Sequence, residues 1–194
     1  NIFRFTRRTA EVTLHDGSKH SLVRHVLETG PAVSVLPYFY DQSEKNWYVV
    51  LVRQYRPAVD AMCLEAPGGL LKKDKDVRVE MARELFEEAG IKVNPRAIEL
   101  IGFQHLANSF CDQVVHLGIV DIRVGGRKEF IKSVKKHNGL VSEKEFTEVV
   151  VVPLKQAFHK QNLVTYTLAK YQINNLAVRL LASLNNKKRP NSFV

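Results

Sequence analysis

Residues 77–90 read Val77-Arg78-Val79-Glu80-Met81-Ala82-Arg83-Glu84-Leu85-Phe86-Glu87-Glu88-Ala89-Gly90, and this stretch decides the fold. It is free of proline and of internal glycine, so a helix is expected over Val77 to Ala89, stopped by Gly90. Stepping ~100° per residue from Glu84 puts Glu80 at ~−40°, Glu87 at ~−60° and Glu88 at ~+40°. Four carboxylates thus share an arc of about 100°. The opposite arc holds Val79, Ala82, Leu85, Phe86 and Ala89, the expected core stripe. Like charges one helical turn apart repel. Such a face calls for a counterion, and hard oxygen donors suit Mg²⁺, Mn²⁺ or Ca²⁺ rather than zinc. From the wheel alone, a solvated face paired to nearby Lys and Arg accounts for the pattern as well.

Around this helix the sequence is mostly strand-like. Glu11 to His15 and Lys19 to Glu28 alternate about the tight-turn signal Asp16-Gly17, which reads as a β-hairpin. Ala32 to Tyr40 and Trp47 to Gln54 are rich in Val, Tyr and Leu and read as a second hairpin across the polar break 41–46. Ala61 to Ala66 is a short strand entering Pro67-Gly68-Gly69. Ile98 to His105, Gln113 to Arg123 and Phe146 to Val152 read as further strands. Gly125 to Gly139 reads as a mobile basic loop, and a second helix is expected over about Thr165 to Leu184. The order implies an α+β fold with helices packed on sheets. Three segments are expected: an N-terminal β-hairpin extension over 1–30, a main domain over 31–184 and a basic disordered tail over 185–194.

The chain has 194 residues, and its apolar and charged fractions are ordinary for a folded domain. No run approaches the ~18 apolar residues of a membrane-spanning helix, and no membrane partner is expected. Two cysteines, Cys63 and Cys111, exclude a disulfide scaffold and a four-cysteine metal site, and read as reduced, mostly buried thiols. The seven histidines show no metal-ligand spacing. Tyr38, Tyr40, Trp47, Tyr48 and Tyr55 read first as sheet packing, with stacking on a nucleobase as the alternative.

Charge is the unusual feature. There are 29 Lys+Arg against 20 Asp+Glu, a net of +9. Between Arg123 and Lys136 stand Arg123, Arg127, Lys128, Lys132, Lys135 and Lys136 against Glu129 alone, and Lys187, Lys188 and Arg189 lie in a C-terminal stretch without acids. A polyanionic partner such as RNA fits this balance, and so does a solvated basic face in a basic compartment. The chain begins with Asn1, which fits removal of a transit peptide or a trimmed start.

Gly69, thirteen residues, then Arg83-Glu84-Leu85-Phe86-Glu87-Glu88-Ala89-Gly90-Ile91 resembles the Nudix box, whose pattern is Gly, five residues, Glu, seven residues, Arg-Glu-apolar-x-Glu-Glu-x-Gly-apolar. One fixed position departs: Lys75 stands where the first Glu belongs. Val52-Arg53-Gln54-Tyr55-Arg56-Pro57 and Leu64-Glu65-Ala66-Pro67-Gly68-Gly69 are similar to the ADP-ribose pyrophosphatase branch, which also usually carries a downstream proline where this chain has His105-Leu106-Ala107-Asn108. The resemblance spans roughly Pro31 to Leu154. It implies an α/β/α sandwich around a mixed sheet, with the extra N-terminal hairpin helping to form a homodimer.

It also implies roles. Glu84 and Glu88 match the carboxylates that hold divalent ions, with Glu87 supporting and the Gly68 carbonyl as a backbone ligand. Arg83 matches the arginine that braces the loop and helix, and the missing acid at Lys75 leaves Asp74 or Asp76 to support it. Arg56 and Glu65 match substrate contacts, with Arg53 beside them, and Glu145 matches a late-loop glutamate acting as base or ligand. The implied chemistry is water attack on a phosphoanhydride with Mg²⁺ or Mn²⁺.

The leading expectation is a Nudix hydrolase of a nucleoside diphosphate-linked substrate, with charge favouring the 5′ phosphorylated end of RNA. Arg127, Lys128, Lys132, Lys135, Lys136, Lys187, Lys188 and Arg189 would then contact RNA. RNA-processing protein partners and a mitochondrial or other reducing intracellular location go with that reading. The alternatives are an ADP-ribose or small-nucleotide pyrophosphatase, and a degenerate Nudix domain serving as an RNA-binding or assembly scaffold.

Overall fold

The computed structural model describes residues 3–134, 146–159 and 167–187, with side chains through residue 183. The chain opens with a hairpin, β1 (Arg4–Thr13) and β2 (Lys19–Glu28), which forms a two-stranded sheet of its own. The rest is built on β3 (Ala32–Asp41), β4 (Asn46–Arg56), β5 (Ala61–Glu65), β6 (Gly68–Leu70), β7 (Glu99–His105), β8 (Val114–Asp121) and β9 (Thr147–Pro153). These strands form a sheet with the path β5-β4-β3-β8-β7, to which β6 adds against β3 and β9 against β4. The β3–β8 pairing is parallel and the others are antiparallel, so the sheet is mixed.

Four helices, α1 (Val77–Ala89), α2 (Arg127–Val134), α3 (Leu154–His159) and α4 (Thr167–Lys187), cover the sheet among the described residues. Period-2 alternation along β3 and β4 sends side chains to both faces. Val33, Val35, Val50 and Val52 pack against Met81, Leu85 and Ala89 of α1 and Phe130 and Val134 of α2. Leu36, Val49 and Leu51 pack against Ala157 of α3 and Ala169, Ile173 and Leu176 of α4. Central strands buried on both faces read as continuous apolar runs, which is why β3 and β4 stood out in the sequence. Each fully buried Leu or Met contributes about 1.5–3 kcal/mol. This is the three-layer α/β/α arrangement around a mixed sheet that the resemblance implied.

The buried Gln172 of α4 ties that helix to the sheet. Its Nε2 donates to the carbonyls of Ser34 (3.2 Å) and Gly118 (2.9 Å), while Ser34 Oγ donates to its Oε1 (3.2 Å). A buried amide is tolerated because its polar atoms are paired. The hairpin is tethered through Leu27, whose N–H donates to the Phe110 carbonyl (2.7 Å) and whose carbonyl accepts from Asp112 N–H (3.2 Å).

Three expectations change. Residues 127–134 form a helix rather than part of a mobile loop, because Asp41 Oδ2 accepts from Arg127 N–H (2.6 Å) at its start and Phe130 and Val134 enter the core. Helix α4 runs on through Lys187, into the expected tail. On α1, Val79 and Phe86 are exposed, whereas Glu80, Met81, Glu84, Leu85, Glu88 and Ala89 are buried. The helix is rotated so that its carboxylates point inward. The wheel assumed that polar means solvent-facing, and at this site the rule is inverted.

Candidate active site

Helix α1 is fixed at both ends by local chemistry. Asp76 is its N-cap and accepts from Arg78 N–H (2.8 Å) and Val79 N–H (3.1 Å). Gly90 closes it in the left-handed region at φ 69°, which glycine adopts without a Cβ clash. Asp76 is therefore spent on the cap and does not support Arg83. Asp74 sits at φ 61° in the preceding turn, and Lys75 is exposed.

Arg83 is instead held from within the helix. Its Nε donates to Glu80 Oε1 (2.5 Å), and its two terminal nitrogens donate to Glu84 Oε1 and Glu87 Oε2. Burial would lower the Arg83 pKa, but its hydrogen bonds to Glu87 and Glu80 outweigh this and raise it above the ordinary value. One guanidinium thus ties together three of the four carboxylates of the arc. The fourth, Glu88, accepts from Gly68 N–H at Oε2 (2.9 Å), and its backbone carbonyl accepts from Thr147 Oγ1 (2.9 Å).

The strand β6 approaches this face closely. A Cβ on Gly69 would lie 2.3 Å from Glu84 Oε1, and one on Gly68 would lie 2.3 Å from the Val33 carbonyl. Only glycine fits either position without displacing a neighbour, backbone at residue 68 and the Glu84 carboxylate at residue 69.

A cavity of 810 Å³ opens beside the two glycines, lined by Gly68, Gly69, Glu88, Gln54, Arg56 and Glu65 among others. Arg56 and Glu65 form a two-pronged pair, Nε to Oε1 at 2.9 Å and a terminal nitrogen to Oε2 at 2.8 Å. Glu65 is buried, while the Arg56 side chain is 46% exposed. The carboxylate aims the guanidinium, which lines the cavity and has the chemistry to bind an anion there.

The donor set suits a hard divalent ion. Glu84 and Glu88 are buried, one helical turn apart, and offer only oxygen. Arg83 pairs with three of the four carboxylates, so negative groups outnumber the guanidinium on this face. Among the described residues no three His, Cys, Asp or Glu side chains converge into a closed cage, because Arg83 gathers Glu84 and Glu87. Mg²⁺ usually binds through only one or two carboxylates and keeps several waters, so it does not require such a cage.

The structure therefore brings Arg83, Glu84, Glu87, Glu88, Gly68, Arg56 and Glu65 to one face of α1 and the adjoining cavity. Arg53 alternates to the other face of β4 and pairs with Glu148 at 3.6 Å. Arg127 lies over the Tyr48 ring at 5.1 Å and within 3.8 Å of Glu44, so it is engaged with its own fold. Lys128 and Lys132 are exposed on α2. Glu145, Lys135, Lys136, Lys188 and Arg189 lie outside the described residues, as does the side chain of Lys187.

Sequence reasoning missed two residues here. Gln54 lines the cavity with a buried Oε1 that has no hydrogen-bond partner. Its place two residues before Arg56, on the same strand face, was the available signal. Thr147 carried no signal, because its partner Glu88 is 59 residues away.

Comparison with known proteins agrees with this geometry. A NUDIX domain is recognised over residues 28–171. The methanol dehydrogenase activator of Bacillus methanolicus is 30% identical over 149 residues, 76% of this chain and 70% of that protein. The ADP-ribose pyrophosphatase of Bacillus subtilis (strain 168) is 28% identical over 149 residues, with the same shares of each. The crystal structure of an ADP compounds hydrolase superposes with a TM-score of 0.66 at 16% identity, covering 92% of this chain and 88% of the other, a likeness of fold.

Proposed function

We propose, from the premise that this chain belongs to the Nudix family, that this pyrophosphohydrolase cleaves the diphosphate of ADP-ribose or a closely related ADP-linked compound. The observation that carries the reading is the shared cavity: the Arg56–Glu65 pair, Glu88 and the Gly68-Gly69 strand line one space of 810 Å³. That size suits a small nucleotide. The name of the Bacillus subtilis relative supports the same substrate class.

In this reading Glu84 and Glu88 hold a divalent ion, Mg²⁺ or Mn²⁺, with Glu87 and the Gly68 carbonyl in support. When bound, such an ion supplies neutralisation of phosphate charge and a water of lowered pKa. The chain's own residues do the positioning. Arg83 fixes the Glu84 and Glu87 carboxylates, and Gly68 N–H fixes Glu88. Thr147 anchors the backbone that carries Glu88. Arg56, aimed by Glu65, binds the diphosphate. Glu145 is the proposed base or ligand from the late loop. Water adds at phosphorus and the bridging oxygen leaves, so ADP-ribose yields AMP and ribose 5-phosphate.

The small nucleotide replaces the RNA 5′ end as the favoured substrate, and Arg127, one of the cations behind the RNA reading, is bound to Tyr48 and Glu44. A degenerate scaffold is disfavoured because Arg83 is braced despite Lys75. The exposed hairpin β1–β2 is the proposed dimer surface, and the free thiols Cys63 and Cys111 fit a reducing compartment.

The test is a hydrolysis panel with Mg²⁺ and Mn²⁺ over ADP-ribose, diadenosine polyphosphates, nucleoside di- and triphosphates, and 5′-triphosphate RNA. AMP released from ADP-ribose at the highest kcat/KM is expected. Turnover of the RNA end without turnover of ADP-ribose overturns the reading.

A further inference from the structure

We propose that Glu80 is a positioning residue of this site, the anchor from which Arg83 sets the Glu84 and Glu87 carboxylates for a divalent ion. This rests on the reading that the α1 face binds such an ion.

Packing does not explain the burial of the Glu80 carboxylate. Glu80 is 2% exposed, among the most deeply buried side chains described. It sits one helical turn before Glu84, which is itself one turn before Glu88, and all three are buried. Like charges at this spacing repel, and burial removes the water that would screen them. For stability alone, an apolar side chain at position 80 would serve as well or better. A buried carboxylate kept there calls for a directional reason.

The direction lies in the guanidinium. It is planar and rigid, with its donors in a fixed fork. Glu80 takes the Nε edge at 2.5 Å, and the two terminal nitrogens go to Glu84 and Glu87. Once the Nε edge is pinned, the plane of the fork and the directions of its other donors are set. Glu80 is joined to Glu84 and Glu87 through Arg83, so it acts on the site through that guanidinium. The acids that flank Lys75 do not do this work: Asp76 caps α1, and Arg83 makes its described ion pairs with Glu80, Glu84 and Glu87. The support expected from the loop before the helix has moved into the helix itself.

The test measures Mn²⁺ binding to the full chain without substrate, by the paramagnetic resonance signal of free Mn²⁺, beside thermal melting without metal. Glu80→Gln keeps the size and removes the charge; Glu80→Met, the apolar counterpart, serves if Gln at this position does not fold. A folded variant is expected to bind Mn²⁺ about tenfold or more weakly, in the range seen when outer partners of metal ligands are removed. Its half-saturating Mg²⁺ concentration in hydrolysis should rise more than kcat at saturating Mg²⁺ falls, and its metal-free melting temperature should be unchanged or higher. A folded variant that binds Mn²⁺ as tightly as the wild type overturns the positioning role while leaving the metal face standing. A wild-type chain that binds no Mn²⁺ overturns both.

Discussion

Gly69 and Glu84 stand so close that the Cα of one and the carboxylate of the other leave no room for a side chain between them: a Cβ on residue 69 would meet Glu84 Oε1 at 2.3 Å. At Gly68, the neighbour a Cβ would meet at the same distance is the Val33 carbonyl. The two glycines are thus predicted to fail differently. Gly69→Ala pushes aside the end of a flexible side chain, so melting should change little while kcat/KM falls about 100-fold, the usual cost of displacing a reacting group by ~1 Å. Gly68→Ala pushes on backbone and should cost about 1–3 kcal/mol of stability in denaturant titration.

The carboxylates themselves separate charge from shape. Glu88→Gln retains an oxygen that can accept from Gly68 N–H, so the fold should hold. Its divalent-ion-dependent turnover should fall roughly 100-fold or more, and Glu84→Gln should behave likewise. Wild-type turnover in both variants would remove the metal assignment.

Arg56→Ala is predicted to do two things at once. It removes the cation from the cavity, raising KM for ADP-ribose, and it leaves the buried Glu65 carboxylate uncompensated. The stability cost should be about 1–2 kcal/mol, below that of a fully buried pair because Arg56 is half in water. Adding Glu65→Gln should recover the stability and not the KM, which a double-mutant cycle in melting and kinetics would reveal.

Lys75→Glu alone should change turnover less than about twofold. Three carboxylates of α1 already hold the Arg83 guanidinium through all three of its nitrogens, so a new acid in the exposed turn adds little to its bracing. A large gain in kcat would show that the loop before α1 is poorly fixed.

Acid should expose the role of Asp41. Its carboxylate is held well below the usual range, first by Arg127 N–H and then by the Ser43 hydroxyl and the Glu44 N–H. A depressed pKa means that the folded state favours the charged form. The stability this adds is present above about pH 4, the unfolded carboxylate value, and is lost as pH falls through the lower folded value. Asp41→Asn should therefore melt earlier at neutral pH, and its melting temperature should decline less steeply than that of the wild type below about pH 4.

Much of this was legible in the sequence because it is local. Helix α1 and its stop at Gly90 follow from composition and spacing, and β2 begins and ends where its alternation does. The pairing of Glu84 and Glu88 on one face followed from the helical period. The rotation of that face was not legible, because burial of Glu80, Glu84 and Glu88 depends on β6 and β9 packing above it. Helix α2 was hidden by its basic composition; its cap, Asp41, lies 86 residues earlier in the chain. The basic residues showed an excess of charge but not its geometry, and Arg127 turned inward onto Tyr48.

The parallel pairing of β3 with β8 sets Val33 beside His116, with β4, β6 and all of α1 falling between them in the chain. Closing so long a loop is entropically slow, and folds dominated by such distant pairings fold late and cooperatively. Helix α1, at 13 residues and crowded with like charges, is marginal by itself in water. It has no stable existence before the strands that bury it are in place. The carboxylate face of α1 is accordingly expected to form together with the closed sheet rather than ahead of it.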